Sequence, residues 1–150
     1  MPVGVDRWGS WIFRAGAVSN FVVTLPAFIV YDSYVDLFAE QSPRYPFLVW
    51  IWSGMAFLWG VMFWEISTGL VEKRALIKYS YLEKSITSLS VLVAFAIGDV
   101  PGRFLVGILF TDVLWIPLFV WVHLEVARAA GPPNPVTRPP AANPTPAGSS

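Results

Sequence analysis

Four apolar stretches of about 20 residues each run through most of this chain, and they limit what it can fold into. They cover residues 11–30, 47–66, 77–98 and 103–126. A helix needs about 20 mainly apolar residues to cross a hydrocarbon core of ~30 Å. Because short connectors join the stretches, we expect an all-α integral membrane protein, with a bundle of four transmembrane helices in residues 1–130.

The composition agrees with a membrane protein. Hydrophobic residues make up 55% of the 150-residue chain and charged residues only 13%, against about 25% charged residues in soluble domains. This balance excludes a disordered chain and argues against a water-soluble globule. Ten basic side chains offset ten acidic ones, so no net charge attracts nucleic acid. The chain has no cysteine, which excludes disulfides, thiolate metal sites and cysteine nucleophiles.

The distribution of lysine and arginine predicts how the helices are oriented. With four spans, the N-terminus, the second loop and the C-terminus lie on one side of the membrane. That side would hold seven basic residues, namely Arg7, Arg14, Lys73, Arg74, Lys78, Arg128 and Arg138. The opposite side would hold only Arg44 and Arg103. Since cytoplasmic segments carry the excess of basic residues, we expect both termini in the cytoplasm and the protein in a bacterial inner membrane.

Residues 131–150 differ in composition from the rest of the chain. Seven of the thirteen prolines lie here, among Ala, Asn, Thr and Ser. Such a segment has too few bulky apolar groups to build a core, so we expect an extended, Pro- and Ala-rich cytoplasmic tail. The tail is either a solvated, polyproline-like segment or an arm that lies along a partner protein.

Charged residues inside the predicted spans indicate a site, because each of them needs a partner or a cavity in the membrane. At ~1.5 Å rise per residue, Lys84 and Asp112 lie within ~10 Å of each other in depth. We therefore expect a buried polar network in the inner half of the bundle, formed by Arg14, Asn20, Glu65, Lys84 and Asp112. These residues form an ion-paired lock that fixes the order of the helices, or a polar pocket that binds a head group or relays a proton, or they snorkel to the membrane surface without partners.

The second predicted helix carries Trp52, Trp59 and Phe63 near one face. These rings either pack against lipid and neighbouring helices or contact a pigment or another subunit. His123, the one histidine of the chain, is a further candidate for contact with a pigment. His123 and Glu125 are two residues apart and do not share a helix face, so we predict no metal site.

Two prolines lie inside predicted spans, Pro26 in the first and Pro117 in the fourth. Proline removes a backbone hydrogen bond, so we expect a kink at each position that opens room for water or a ligand. The chain contains no Gly-rich phosphate loop, no zinc-protease motif and no nucleophile elbow. From the missing motifs we predict that the protein is not an enzyme.

The sequence DVLW at residues 112–115, followed by Phe119 and combined with Lys84 early in the third predicted helix, resembles a group of small bacterial membrane proteins that are loosely DoxX-like. The resemblance covers residues 11–128. It implies a four-helix bundle in the membrane and no established reaction. The chain departs from the group at Glu83, since its members usually have a small residue before the lysine.

Three functions remain open. The first is a non-catalytic accessory or scaffold subunit of a larger membrane complex, for example a respiratory or photosynthetic one, or of an assembly of its own copies. The second is a binding or transport module for a quinone, lipid or pigment, held near Lys84 and Asp112. The third is an enzyme that moves a proton through Asp112, Glu65 or His123. The small size and the aromatic surface favour the first, with membrane lipids as partners and no required cofactor.

Overall fold

The computed structural model describes residues 3–38 and 46–130, and all regular secondary structure within these ranges is helical. In chain order the elements are α1 (Val3–Thr24), α2 (Pro26–Ile29), α3 (Tyr31–Phe38), α4 (Pro46–Ser67), α5 (Arg74–Ala96), α6 (Gly102–Ile108), a π-helical segment (Leu109–Val113) and α7 (Trp115–Ala130). The predicted tail at residues 131–150 lies outside the described residues, as do Arg44 and Arg138.

Three helical stretches of the described chain are long and apolar enough to cross a membrane. They are Asp6–Ile29, Pro46–Ser67 and Gly102–Ala130, which correspond to the first, second and fourth predicted spans. The third predicted span forms α5, a helix of 23 residues. It does not belong to this set, because Glu83, Lys84 and several serines lower its hydropathy. By length and composition alone, the described residues therefore contain three candidate spans where the sequence predicted four.

Helices α1 and α4 form the most extensive helix pair of the fold. The Arg14 side chain of α1 lies against Trp64, near the end of α4. One to two turns further along α1, the ring of Phe21 lies 5.0 Å from that of Phe57, which precedes Trp64 in the chain. Because positions rise along α1 while they fall along α4, the two helices are antiparallel.

Helices α5 and α7 form a second antiparallel pair. The ring of Tyr81 lies 5.6 Å from that of His123, and further along α5 the Lys84 side chain meets Asp112, which precedes α7. Contacts between α1 and α7 join the two pairs. The chain therefore runs up, down, up and down, and the N-terminal end of α1 lies at the same end of the bundle as the C-terminal end of α7.

Three phenylalanine rings, from α1, α4 and α7, form the centre of the hydrophobic core. Phe13 stacks on Phe119 with ring centroids 4.6 Å apart, and Phe63 packs edge-on against Phe119 at 4.9 Å. Both geometries are favourable for aromatic pairs. The surrounding buried residues are Ala17, Ile66, Leu70, Ile77, Val122 and Val126. This core fills the half of the bundle that contains the N-terminal end of α1 and the C-terminal end of α7. The buried polar residues lie next to it, toward the other half.

Two glycines allow the helices to approach closely. A Cβ atom added to Gly60 of α4 would lie 2.7 Å from Cε1 of Phe21 and 3.1 Å from Cβ of Asn20, both on α1. A Cβ added to Gly16 of α1 would lie 2.8 Å from Cζ of Phe119. A side chain at either position would therefore push neighbouring helices apart.

Pro26 follows a break between two helices, and Pro117 lies in the first turn of α7, shortly after a π-helical segment. Helix α1 ends at Thr24, and α2 begins at Pro26. In the last helical stretch, Pro117 offers no N–H to the carbonyl four residues earlier. The preceding segment Leu109–Val113 winds as a π-helix, and the Leu114 N–H donates to the Leu109 carbonyl oxygen at 3.1 Å. The wider winding ends four residues before Pro117 and contains Asp112.

Candidate functional site

The ammonium group of Lys84 is the centre of a buried polar network. Lys84 lies on the inner face of α5, and only 3% of its surface is exposed. Its Nζ atom is 2.7 Å from Oδ1 of Asp112 and donates a hydrogen bond to Oδ1 of Asn20 at 2.8 Å. A third oxygen, Oε2 of Glu83, lies 3.6 Å away, which is within ion-pair distance but too far for a hydrogen bond. Three oxygen atoms from three helical stretches thus surround one cation.

The ammonium group of Lys84 is compensated by charge, by hydrogen bonding and by an aromatic ring. A buried cation is stable only when it is paired and hydrogen-bonded, and Asp112 and Asn20 meet these two needs. The ring of Phe63 lies 5.6 Å from Nζ and adds a cation–π contact from α4. With Asn20 from α1, Asp112 from the π-helical segment and Phe63 from α4, the lysine of α5 contacts all four helical stretches.

The partners of Lys84 are themselves held by hydrogen bonds. The Asn20 side-chain amide donates to the carbonyl oxygen of Ala56 at 2.9 Å, which ties α1 to α4. The Thr24 hydroxyl donates to the Asn20 carbonyl at 2.7 Å. The Thr111 hydroxyl donates to Oδ2 of Asp112 at 3.0 Å. Both carboxylate oxygens of Asp112 therefore have partners, and the asparagine is fixed on both sides.

The structure brings together three of the five residues predicted for the network, Asn20, Lys84 and Asp112, and it places Arg14 and Glu65 elsewhere. Arg14 is exposed on α1, and its guanidinium lies against tryptophan rings. Glu65 is 63% exposed and pairs with Lys73 in the connection to α5. Both residues lie at the predicted end of the bundle, but each side chain points outward, because depth along a helix does not determine which face is buried.

Glu83 belongs to the network, although sequence reasoning treated it only as a departure from the DoxX-like pattern. Its side chain is 11% exposed, and its carboxylate approaches Lys84. The available signal was its position directly before a lysine in an apolar stretch, where an uncompensated carboxylate is costly. With Glu83 included, the network contains one cation and two carboxyl groups.

The aromatic residues predicted to contact a pigment or another subunit occupy different environments. Phe63 is fully buried between Phe13 and Phe119, so it contacts its own helices and not a molecule outside the bundle. Trp59 is half-buried and packs against Phe63 with centroids 6.1 Å apart. Trp52 is exposed and is the one of the three on the outer surface. Phe63 is thus a core residue, since its face of α4 points toward α1 and α7.

His123 is half-buried, and its ring packs against Tyr81 of α5. Its Nδ1 atom is buried and has no hydrogen-bond partner among the described residues. Within the same residues, no three His, Asp or Glu side chains are grouped as they would be to hold a metal ion. His123 therefore contributes to the contact between α5 and α7. Its contact with a pigment stays a prediction.

A small cleft lies beside the network on the side away from the aromatic core. Its volume is about 20 Å³, enough for about one water molecule. Burial raises the pKa of Tyr34 above its ordinary value of 10.0, so this phenol is neutral at physiological pH. The residues that line the cleft are Val23, Tyr34, Trp52, Phe104, Gly107, Ile108 and Thr111. Thr111 lines the cleft and also contacts Asp112, since its hydroxyl donates to the carboxylate.

The fold and the site define an all-helical protein with three helices apolar enough to span a membrane and a buried ion pair between its helical stretches. No protein-family model matches the chain, and neither a curated protein nor a solved structure matches it. The resemblance to DoxX-like proteins accordingly stays a prediction.

Proposed function

We propose that the chain is an integral membrane protein whose four helical stretches all cross the bilayer, and that it serves as a non-catalytic accessory or scaffold subunit of a larger membrane complex. One observation carries the proposal. Inside the bundle Lys84 is paired with Asp112 and hydrogen-bonded to Asn20, whereas the outer surface is apolar and rich in exposed tryptophan. If the buried ion pair serves to join the helices to one another, the apolar outer surface is the part of the protein that can contact a partner.

Helix α5 can serve as a fourth span because its charged residues have partners inside the bundle. Charged residues in a membrane are tolerated where they face the bundle interior and pair with one another. Lys84 does so with Asp112, and Glu83 lies beside both. The outward side of the same helix exposes mainly apolar groups over its central turns, such as Ile86 and Leu89, together with Ser90. The two charged residues that lower the hydropathy in the middle of α5 therefore lie toward the interior.

Helix α4 offers the surface best suited to a partner subunit. Tryptophan is enriched at protein interfaces, where it supplies large buried contacts. The large exposed side chains of α4 include Trp50, Trp52, Met55, Leu58 and Val61. Because α4 packs mainly on α1 and only weakly on α5, most of its circumference faces away from the bundle. We place the contact with the complex on this side.

A photo-crosslinking experiment in the source membrane tests the proposal. A crosslinking amino acid replaces Leu58, which is exposed on α4, and in a matched control it replaces Ile86, which is exposed on α5. Affinity purification in nanodiscs and mass spectrometry then identify the products. We expect one partner in stoichiometric amount, crosslinked from position 58 and not from position 86. A variant that lacks residues 131–150 shows whether the tail contributes to the same association.

The opposite result is equally informative. If the chain purifies alone with a bound quinone, lipid or pigment, visible in the absorption spectrum or the mass spectrum, the accessory-subunit proposal is wrong. The better hypothesis is then a binding or transport module that holds its ligand near Lys84 and Asp112. Asp112→Asn is the variant that should lose the ligand. If position 58 crosslinks only to lipid while a partner is present, the contact lies on another face.

A further inference from the structure

We propose that Arg14, Trp11 and Trp64, called here the Arg14 site, bind the phosphate group of an anionic membrane phospholipid. The inference rests on the membrane residence proposed above, but it does not depend on the partner complex. It concerns the outer surface where α1 meets α4, near the end of the bundle that contains the first turns of α1.

The guanidinium group of Arg14 lies between two indole rings. Its Cζ atom is 5.8 Å from the ring centroid of Trp11, one turn earlier on α1, and 5.9 Å from that of Trp64 on α4. Both distances are within the ~6 Å range of a cation–π contact. Trp11 is 56% exposed and Trp64 is 47% exposed, so the three side chains form an open surface site across two helices.

Arg14 takes part in none of the ion pairs formed between described residues. The nearest carboxylate in the chain of α4 is Glu65, directly after Trp64, and it pairs with Lys73. The cation–π contacts hold the guanidinium in place but supply no negative charge. An arginine at an apolar, lipid-facing surface needs an anion or the head-group region to compensate its charge.

The chemistry of the site favours a phospholipid phosphate. The planar guanidinium can donate two parallel hydrogen bonds to phosphate oxygens, which an ammonium group does not match. Indole rings are enriched at the depth of the lipid head groups, where phosphates lie. Arg7, also exposed on α1 and about two turns earlier, adds positive charge on the same side. An anionic lipid is favoured because a zwitterionic one carries an ammonium that offsets its phosphate.

Native mass spectrometry of the purified, delipidated chain in detergent tests this proposal without any partner protein. The probes are phosphatidylglycerol and phosphatidylcholine with the same acyl chains. We expect one phosphatidylglycerol to bind in preference to phosphatidylcholine, and Arg14→Gln to weaken its binding about five- to tenfold, since one basic residue near an anionic surface contributes ~1 kcal/mol or more. Arg14→Lys should recover only part of the affinity, because lysine keeps the charge and loses the planar geometry.

Arg128→Gln is the matched control. It removes one positive charge at the same end of the bundle, but that arginine is already paired with Glu125. An equal loss of phosphatidylglycerol binding in both glutamine variants would show a general charge effect and overturn the proposal. Unchanged binding in Arg14→Gln would overturn it as well, as would displacement of the lipid by millimolar inorganic phosphate. Trp64→Leu, with circular dichroism to check the fold, should weaken binding independently of net charge.

The outcome can be separated from that of the proposed function. Lipid binding is measured on the isolated chain, whereas the function test measures association with a partner in the membrane. Loss of the lipid site with retained crosslinking from position 58 would overturn neither the scaffold role nor the α4 contact. Failure of the chain to partition into membranes at all would overturn the lipid site and the scaffold role together.

Discussion

Lys84 is the residue on which the interior of the bundle depends most. It is the one cation in the buried network, and it faces the carboxyl groups of Asp112 and Glu83. Breaking a buried ion pair is more costly than never having formed one, because a charge is left without compensation. The loss of stability should therefore depend on whether a substitution removes the ammonium group or one of the two carboxyl groups.

Lys84→Met and Asp112→Asn should differ clearly in stability. The methionine variant leaves two buried carboxyl groups with no cation, and we expect the free energy of unfolding to fall by about 3–5 kcal/mol. The asparagine variant keeps Lys84 opposite Glu83 and retains a hydrogen-bond acceptor, so the loss should be about 1–2 kcal/mol. Unfolding by SDS titration in detergent micelles, followed by circular dichroism, measures both.

Lys78→Met is the control for this comparison. Lys78 lies on the same helix but is exposed, with its ammonium over the ring of Tyr79. Its replacement should change the free energy of unfolding by less than about 1 kcal/mol. Equal losses in Lys84→Met and Asp112→Asn would contradict the role assigned to Glu83, because they would show that Glu83 does not neutralise the lysine.

The limits of sequence reasoning are clearest at these residues. The depth of Lys84 and Asp112 follows from counting along the helices, and it correctly indicated that the two could meet. Arg14 and Glu65 were placed at the correct end of the bundle by the same count, but their rotation about the helix axis depends on which neighbour each helix packs against. That information lies in long-range packing, so the sequence pattern alone could not exclude them from the network.

At the scale of helices, the close approach of α1 and α4 rests on a small residue at one position. Gly60→Ala should destabilise the protein, because the new Cβ would meet Phe21 and the Cβ of Asn20. The ring can move, but the Asn20 Cβ is fixed to the backbone of α1, so the helices must separate. Overpacking of this kind costs about 1–3 kcal/mol, more than the ~1 kcal/mol that alanine gains over glycine in a helix.

Gly54→Ala on the same helix separates packing from helix propensity. A Cβ at Gly54 would have one neighbour, Cζ of Phe28, at 4.0 Å, which is ordinary contact. We expect this variant to be as stable as the parent or up to ~1 kcal/mol more stable, whereas Gly60→Ala is less stable in the same SDS titration. Similar values for the two variants would mean that α1 and α4 do not approach as closely as the structure has them.

Helix α5 shows why the number of spans is harder to predict than the presence of helices. The apolar stretch at residues 77–98 indicated a helix, and α5 covers most of it. Its hydropathy falls below that of the three candidate spans partly because of its inner face, where Ser80, Lys84 and Ser88 are buried at intervals of four residues. Hydropathy averages over all faces of a helix, so it cannot separate a polar interior from a polar exterior.

For the whole molecule, the position of α5 decides the topology, and the absence of cysteine makes this measurable. Single cysteines replace Asp6, Glu72, Asp99 and Arg128, which are exposed near the ends of the helical stretches. A membrane-impermeant maleimide then labels right-side-out and inverted vesicles. With four spans, positions 6, 72 and 128 react together in inverted vesicles, and position 99 reacts in the opposite preparation.

Three spans would give a different pattern, which makes the experiment decisive. If α5 stays at the surface, position 99 reacts together with positions 6 and 72, and position 128 moves to the other side. We expect the four-span pattern, because α5 packs antiparallel to α7 and its charges pair inside the bundle. The Lys84→Met variant extends the test. If the ion pair holds α5 within the membrane, removal of the cation should allow positions 99 and 128 to react from both sides, while positions 6 and 72 keep their single orientation.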